Sequence, residues 1–466
     1  MREEPDRPEG VQWAVRAGRH APAVWAELTP LTRFRTARPA AGPGPLPEGT
    51  VVFSVLRIRD YRFLASGQLL SSLGDWFLLL AVPYYVLELT GSARASGFSL
   101  AAGTVPALVL GPLAGALVDR WNRLRVMIAA DLARMAAVSL MLWVDSPDEV
   151  WLIYVALVLE SSLSQLFNPA SAALLPQLVG REGDLHSANS LSALIAGSIR
   201  LVGGPLGGAV YGGLGFTAVV AIDTISYACS ALCLAMVRHR PSTIARHSTG
   251  EGRGQVRTLV AEIHEGVAQI RHSPWLAAIA GAGALFAIAT SAVNVGLIPY
   301  MDRVLHASPQ VLGLLFGAFG AGSLLGVPLS RALARRLTDR TVLVGSLTAL
   351  AMAFAATFNT PVIGWSAVLF LTIGAPMVCF AITSGTFVAR HTPDAVLGRV
   401  SATIGFLQAA ASLAGMLAGS LLSEALGVVT TMNLCCVTVA LAAGTMLLMP
   451  RRQSPIAEDV PFKEAA

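Results

Sequence analysis

Apolar residues run along this chain in long blocks, and polar residues gather in the gaps between them. Twelve blocks follow Arg62. They are Phe63–Leu87, Ser96–Val118, Val126–Val144, Val150–Ala172, Leu191–Gly212 and Phe216–Val237, then Trp275–Tyr300, Val311–Leu329, Thr341–Phe358, Val362–Val388, Val400–Leu422 and Val428–Met449. Each is near the roughly 20 residues that an α-helix needs to cross a bilayer core. The pattern predicts an all-α membrane protein with twelve transmembrane helices. The longest polar break, Arg238 to Pro274, divides them six and six. The expected organisation is a tail and pre-helix segment over 1–62, a bundle over 63–237, a linker over 238–274, a second bundle over 275–449 and a tail over 450–466. Met1 to Thr50 is rich in Pro, Gly, Arg and Glu without a sustained apolar period, and is expected to be disordered. In the linker, Val256, Leu259, Val260, Ile263, Val267 and Ile270 recur at helical spacing, which predicts an amphipathic helix on the membrane surface.

Composition supports the membrane class. The 466 residues are 54% hydrophobic and 13% charged, about half the charge of a soluble domain. The net charge of +5 does not indicate nucleic acid, because the arginines sit in short loops between apolar blocks. Alternate loops place Arg57, Arg59, Arg62, Arg181, the linker, Arg331 to Arg340, Arg390, Arg399 and the Arg451–Arg452 tail on one side. The other side receives only Arg94 and Arg303, with Asp145, Asp148 and Glu149 among its acids. That asymmetry predicts both termini in the cytoplasm and a multi-pass protein of the cell membrane. The only lysine is Lys463, which excludes a phosphate-binding Walker loop and a Schiff-base enzyme. The five cysteines lie in apolar blocks without histidine or acid at ligand spacing, and His264-Glu265 lacks the second histidine of a zinc-protease motif. No cofactor, metal or enzymatic activity is expected.

The halves repeat. Val82-Pro83-Tyr84 recurs as Ile298-Pro299-Tyr300, and Gly111 to Arg120 recurs as Val327 to Arg336 at the same offset. Between the second and third blocks stands a compact basic loop in which Gly115, Asp119, Arg120, Arg123 and Arg125 follow the spacing G-x-x-x-D-R-x-x-R-x-R. Gly115 permits close helix approach, Asp119 can pair with an arginine or a helix N-terminus, and the arginines can grip acidic lipid. This loop resembles the one between helices 2 and 3 of the major facilitator superfamily, where it acts as a conformational switch. Asn122 stands where the family usually has glycine, a position asparagine can fill by entering a left-handed turn.

Further stretches carry the resemblance over Val52 to Met449: Gly74-Asp75-Trp76, Leu89-Thr90-Gly91-Ser92, Ala130-Asp131-Leu132-Ala133-Arg134, Asn168-Pro169-Ala170, Leu175-Pro176-Gln177 and Gly398-Arg399-Val400-Ser401. They are similar to the drug- and siderophore-exporting branch, including macrolide-efflux and enterobactin-exporter proteins. The resemblance implies two pseudo-symmetric six-helix bundles, a mid-membrane site between them lined by spans 1, 4, 7 and 10, and proton-driven export of a small molecule by a monomer.

Ionisable groups inside a span are costly, which makes them functional candidates. Asp75, Glu160 and Arg200 each lie on the order of 15–18 Å from a helix end, near the midplane. Asp223 is expected shallower, nearer the outer side, and Asp131 and Arg134 nearer the inner side, paired at i,i+3. Burial favours a neutral carboxyl and an arginine neighbour a charged one, so Arg200 approaching Asp75 or Glu160 would offer a route to proton coupling. A static ion pair that only registers helices explains the same residues. Gly204, Pro205 and Gly208 resemble the GPxxGG motif of facilitator antiporters with its glycines displaced by one; a generic packing seam is the alternative. The second half offers no acid at this depth. Ser291 (the repeat partner of Asp75), Asn294, Thr383, Ser384 and Gln408 with Phe286, Met377 and Phe380 suggest an amphiphilic cargo. An importer, a lipid flippase and a non-transporting sensor are the competing readings.

Overall fold

The computed structural model describes residues 53–118, 121–180, 182–238, 265–360 and 362–449. Among them regular structure is entirely helical. The first helices are α1 (Arg59–Thr90), α2 (Ala93–Val118), α3 (Arg123–Ser139) and α4 (Val150–Val179). A single helical element, Glu182–Ala235, follows, and then α7 (Pro274–Arg303), α8 (Pro309–Ala334), α9 (Asp339–Asn359), α10 (Ile363–His391), α11 (Asp394–Ala425) and α12 (Val428–Leu447).

The Glu182–Ala235 element doubles back. Gly215 adopts φ 82°, ψ 177°, a backbone that a side chain would strain. Gly207, eight residues before it, packs on Phe77, and Asp223, eight residues after it, packs on Gly74. Both arms therefore flank the same turn of α1, so residues 182–214 form α5 and 216–235 form α6. Eleven helical segments are long and apolar enough to cross a membrane, and this one crosses twice, which gives the twelve expected crossings. An even number leaves Arg59 and Leu447 on the same face.

Helix ends follow local chemistry. Gly91 takes the left-handed conformation (φ 65°) and its N–H caps α1 at the Leu87 carbonyl. Asn122 does not enter a left-handed turn. Its backbone is extended, and its side-chain oxygen accepts the Arg125 N–H at 3.1 Å as the N-cap of α3. Trp143 and Trp151 flank the loop between α3 and α4 and are exposed, as interfacial anchors are. The helical stretch over 265–272 packs on α11, where Arg399 pairs with Glu265 at 2.8 Å and Gly266 fits against Thr403. The rest of the expected amphipathic helix lies outside the described residues.

Helices α1–α6 and α7–α12 meet chiefly along two pairings, with smaller contacts from α7 to α1 and α2. Along α5 and α8, Gly204 and Gly208 face Gly313, Gly317 faces Pro205, and Gly320 faces Leu201. Backbone thus lies on backbone, the close approach that small residues permit. Gly204, Pro205 and Gly208 are this seam. Along α2 and α11, Gly97 packs on Ser420, and the Ser420 hydroxyl donates to the Arg94 carbonyl at 3.0 Å. Arg94 pairs with Glu424 at 3.4 Å, and Arg303 donates to the Gly91 carbonyl at 2.6 Å. These contacts gather on the face opposite Arg59 and Leu447.

Candidate functional site: a buried carboxyl cluster beside a cavity

A cavity of about 380 Å³ lies among α1, α2 and α4, with Met416 of α11 as the contribution from the other half. Its wall is largely apolar and includes Trp76, Leu79, Pro83 and Met141. Two carboxyls, Asp75 and Glu160, stand at its edge, and among the described residues no basic side chain lines it.

Behind that wall the acids continue into a polar cluster. The Tyr227 hydroxyl of α6 donates to Asp75 Oδ1 at 2.5 Å and lies 3.3 Å from Glu160 Oε1. The Ser164 hydroxyl, one turn along α4, donates to the same Glu160 oxygen at 2.8 Å. Ser164 in turn accepts from Arg134 at 3.3 Å. Arg134 pairs with Asp131, and Ser230 donates to the other Asp131 oxygen at 2.7 Å. The guanidinium is held between two rings, with its carbon 4.3 Å from the centre of Phe167 and 4.7 Å from that of Tyr227. Asp223 adds a fourth carboxyl, fully buried against Gly74. One of its oxygens accepts from Ser226 and the other has no partner among the described residues.

The charge count decides the chemistry of this cluster. Among the described residues, four buried or half-buried carboxyls share one guanidinium, so the cluster is neutral only when it carries protons. An unpaired charge in such surroundings costs several kcal/mol.

Several sequence expectations change here. Arg200 is exposed, and its carbonyl faces Gly320 of α8; no hydrogen bond or ion pair joins it to Asp75 or Glu160. Arg134 holds the place expected of it. The reason is rotational: α3 turns Arg134 inward onto α4 and α6. Asp131 and Arg134 do pair, but through Ser164 the pair belongs to the acid cluster. Asp223 is not shallow. It lies level with Gly74, because α1 continues 16 residues beyond Gly74 to Thr90, whereas the Gly215 reversal that precedes α6 is only eight residues before Asp223.

In the second half Ser291 is buried in α7 and does not line the cavity. Asn294 lines a separate space of about 60 Å³ with Phe316, Phe370 and Met377. Phe286 and Phe380 pack on each other, with ring centres 5.0 Å apart. Gly115 lies in α2, Arg123 donates to the Ala173 carbonyl at 3.4 Å, and Arg125 supplies the capped N–H. Asp119 and Arg120 lie outside the described residues. Tyr227, Ser164 and Ser230 were not anticipated. Ser164 and Tyr227 each lie four residues after an acid, Glu160 and Asp223, which is the signal that could have found them.

The transmembrane secretion effector family model matches residues 50–463. The chain belongs to that family. Its curated relatives include the uncharacterized MFS-type transporter YfiS of Bacillus subtilis, 26% identical over 82% of this chain and 92% of the relative. The multidrug efflux pump Tap of Mycolicibacterium fortuitum is 25% identical over 81% and 92%. Macrolide efflux protein A of Streptococcus pyogenes is 27% identical over 58% and 65%. Among solved structures, a bacterial homologue of the iron transporter ferroportin in an inward-facing state matches with a TM-score of 0.67 at 19% identity, over 86% of this chain and all of that one. A peptide transporter matches with a TM-score of 0.67 at 11% identity, over 84% and 95%. These likenesses carry the fold alone. Family membership makes this chain a multi-pass membrane transporter of the major facilitator type, with efflux pumps among its homologues.

Proposed function

We propose that this transporter exports a small amphiphile bearing an amine, in exchange for protons taken up at Asp75 and Glu160. The observation that carries the reading is the excess of carboxyls over cations at the edge of an otherwise apolar cavity. An apolar wall favours a lipophilic cargo, and acids without a lining base favour a positive one over an anionic siderophore. Export follows the named efflux activity of the multidrug and macrolide relatives. The gathering of inter-half contacts on the face opposite both described ends supports a cavity that loads from the side of those ends, taken as cytoplasmic from the arginine asymmetry.

Everted membrane vesicles under an imposed pH gradient, acid inside, test this with ethidium and a macrolide as probes. The parent is expected to accumulate at least one probe. Asp75→Asn and Glu160→Gln are expected to insert normally, because the amides resemble protonated acids. At least one of them is expected to abolish accumulation while downhill equilibration persists. Accumulation by both variants at the parent level would sink the proton-coupling role.

A further inference from the structure

The geometry points to Tyr227 as a positioning residue that keeps a single proton distributed between Asp75 and Glu160 by offering its hydroxyl hydrogen to whichever of them is ionised. This rests on the proton-coupling reading of those two acids.

One phenol oxygen lies within 2.5 Å of Asp75 and 3.3 Å of Glu160. It has one hydrogen, so it serves one carboxylate at a time, and moving it from one to the other needs only rotation about the carbon–oxygen bond. The ring cannot follow the hydrogen. Tyr227 is fully buried, and the Arg134 guanidinium, itself held by Asp131 and Ser164, covers one face. The charged and titratable groups facing the phenol come from every helix around it. They are Asp75 on α1, Asp131 and Arg134 on α3, Glu160 on α4, and Asp223 one turn earlier on α6.

The two acids are not equivalent in this frame. Glu160 has a donor of its own in Ser164, whereas Asp75 has Tyr227. In the arrangement described here Asp75 takes the phenol hydrogen as the ionised partner, and Glu160 is the acid that carries the proton. When a proton arrives at Asp75 from the cavity that acid no longer needs a donor, the phenol hydrogen turns to Glu160, and Glu160 releases its own proton into the same cavity, which it also lines. The phenol stays neutral throughout and only changes its acceptor. One proton thus enters at Asp75 as another leaves Glu160, and the carboxylate of the pair keeps a hydrogen-bond donor throughout.

The test needs no cargo. Infrared difference spectra of the purified full chain in lipid vesicles, recorded against pH, follow the carbonyl bands of protonated carboxyls. Asp75→Asn and Glu160→Gln assign the bands. Tyr227→Phe, which keeps the ring and its packing, is expected to move the Asp75 step upward by about one to two pH units, the worth of a lost hydrogen bond to an ion. Ser164→Ala is expected to move the Glu160 step alone. Unmoved steps in Tyr227→Phe, with both bands assigned, would reduce Tyr227 to a packing residue and leave the proton-coupling reading standing. If neither carboxyl variant removes a titrating band, the acids do not exchange protons, and both readings fall.

Discussion

Gly74 has no side chain where Asp223 needs room: a methyl built there falls on the Asp223 carboxyl and crowds Ser226. The neighbouring Asp75 faces the cavity, so this glycine lets two acids from different helices share one level of the membrane. Overpacking of this kind costs about 1–3 kcal/mol. Gly74→Ala is expected to lower the melting temperature of the purified protein, and Asp223→Ala in the same chain to recover part of the loss. A double variant no better than the sum of its parts would show that the two do not touch. The Gly-Asp pair and its likeness to exporters were legible in the sequence. That the glycine serves a carboxyl 149 positions away was not, because nothing along the chain states which face of α6 meets α1.

At the scale of elements, the α5–α8 seam carries the closure of one face. A Cβ at Gly313 would stand 2.5 Å from the Gly204 carbonyl oxygen, and a backbone cannot yield as a flexible side chain can. Gly313→Val should therefore wedge α5 from α8 and favour the state with that face open. The check is thiol labelling of Thr104→Cys, a cavity position, in a background without the native cysteines. An impermeant reagent applied to the face bearing Gly215 should label it faster in the Gly313→Val chain. Equal rates would show that the seam is not a gate surface. The glycines of α5 are visible in the sequence, where they read as an antiporter-like motif with a packing seam as the alternative. Their partner decides part of it: they pack tightly, and on the other half of the molecule, where relative motion must occur if the transporter rocks.

Across the whole molecule, the Arg94–Glu424 pair joins the halves where α2 meets α11, with both side chains about half exposed. Surface pairs contribute about 0–1 kcal/mol, so Arg94→Ala alone is expected to leave transport nearly unchanged. A covalent tie is different. Arg94→Cys with Glu424→Cys, joined by a short thiol crosslinker, should stop accumulation of the vesicle probes, and a cleavable linker should restore it on reduction. Full transport by the crosslinked protein would mean that these helices do not part during the cycle. Opening of the face opposite the described ends then becomes the step that transport requires.

The sequence by itself determined the class and the twelve crossings, since both follow from the length and charge a bilayer tolerates in one helix, and it marked the acids worth watching. Tertiary structure decided the company those acids keep. Asp75, Asp131, Glu160 and Tyr227 come from four helices, and their meeting depends on how far each helix is rotated and how deep it sits. Rotation is fixed by contacts such as Gly74 on Asp223 and Gly207 on Phe77, and depth by where Gly215 reverses the chain. Counting residues from a helix end misplaced Asp223 and favoured Arg200 over Arg134 for this reason. Distance along a helix is a property of the chain, whereas azimuth and overhang belong to the packed bundle.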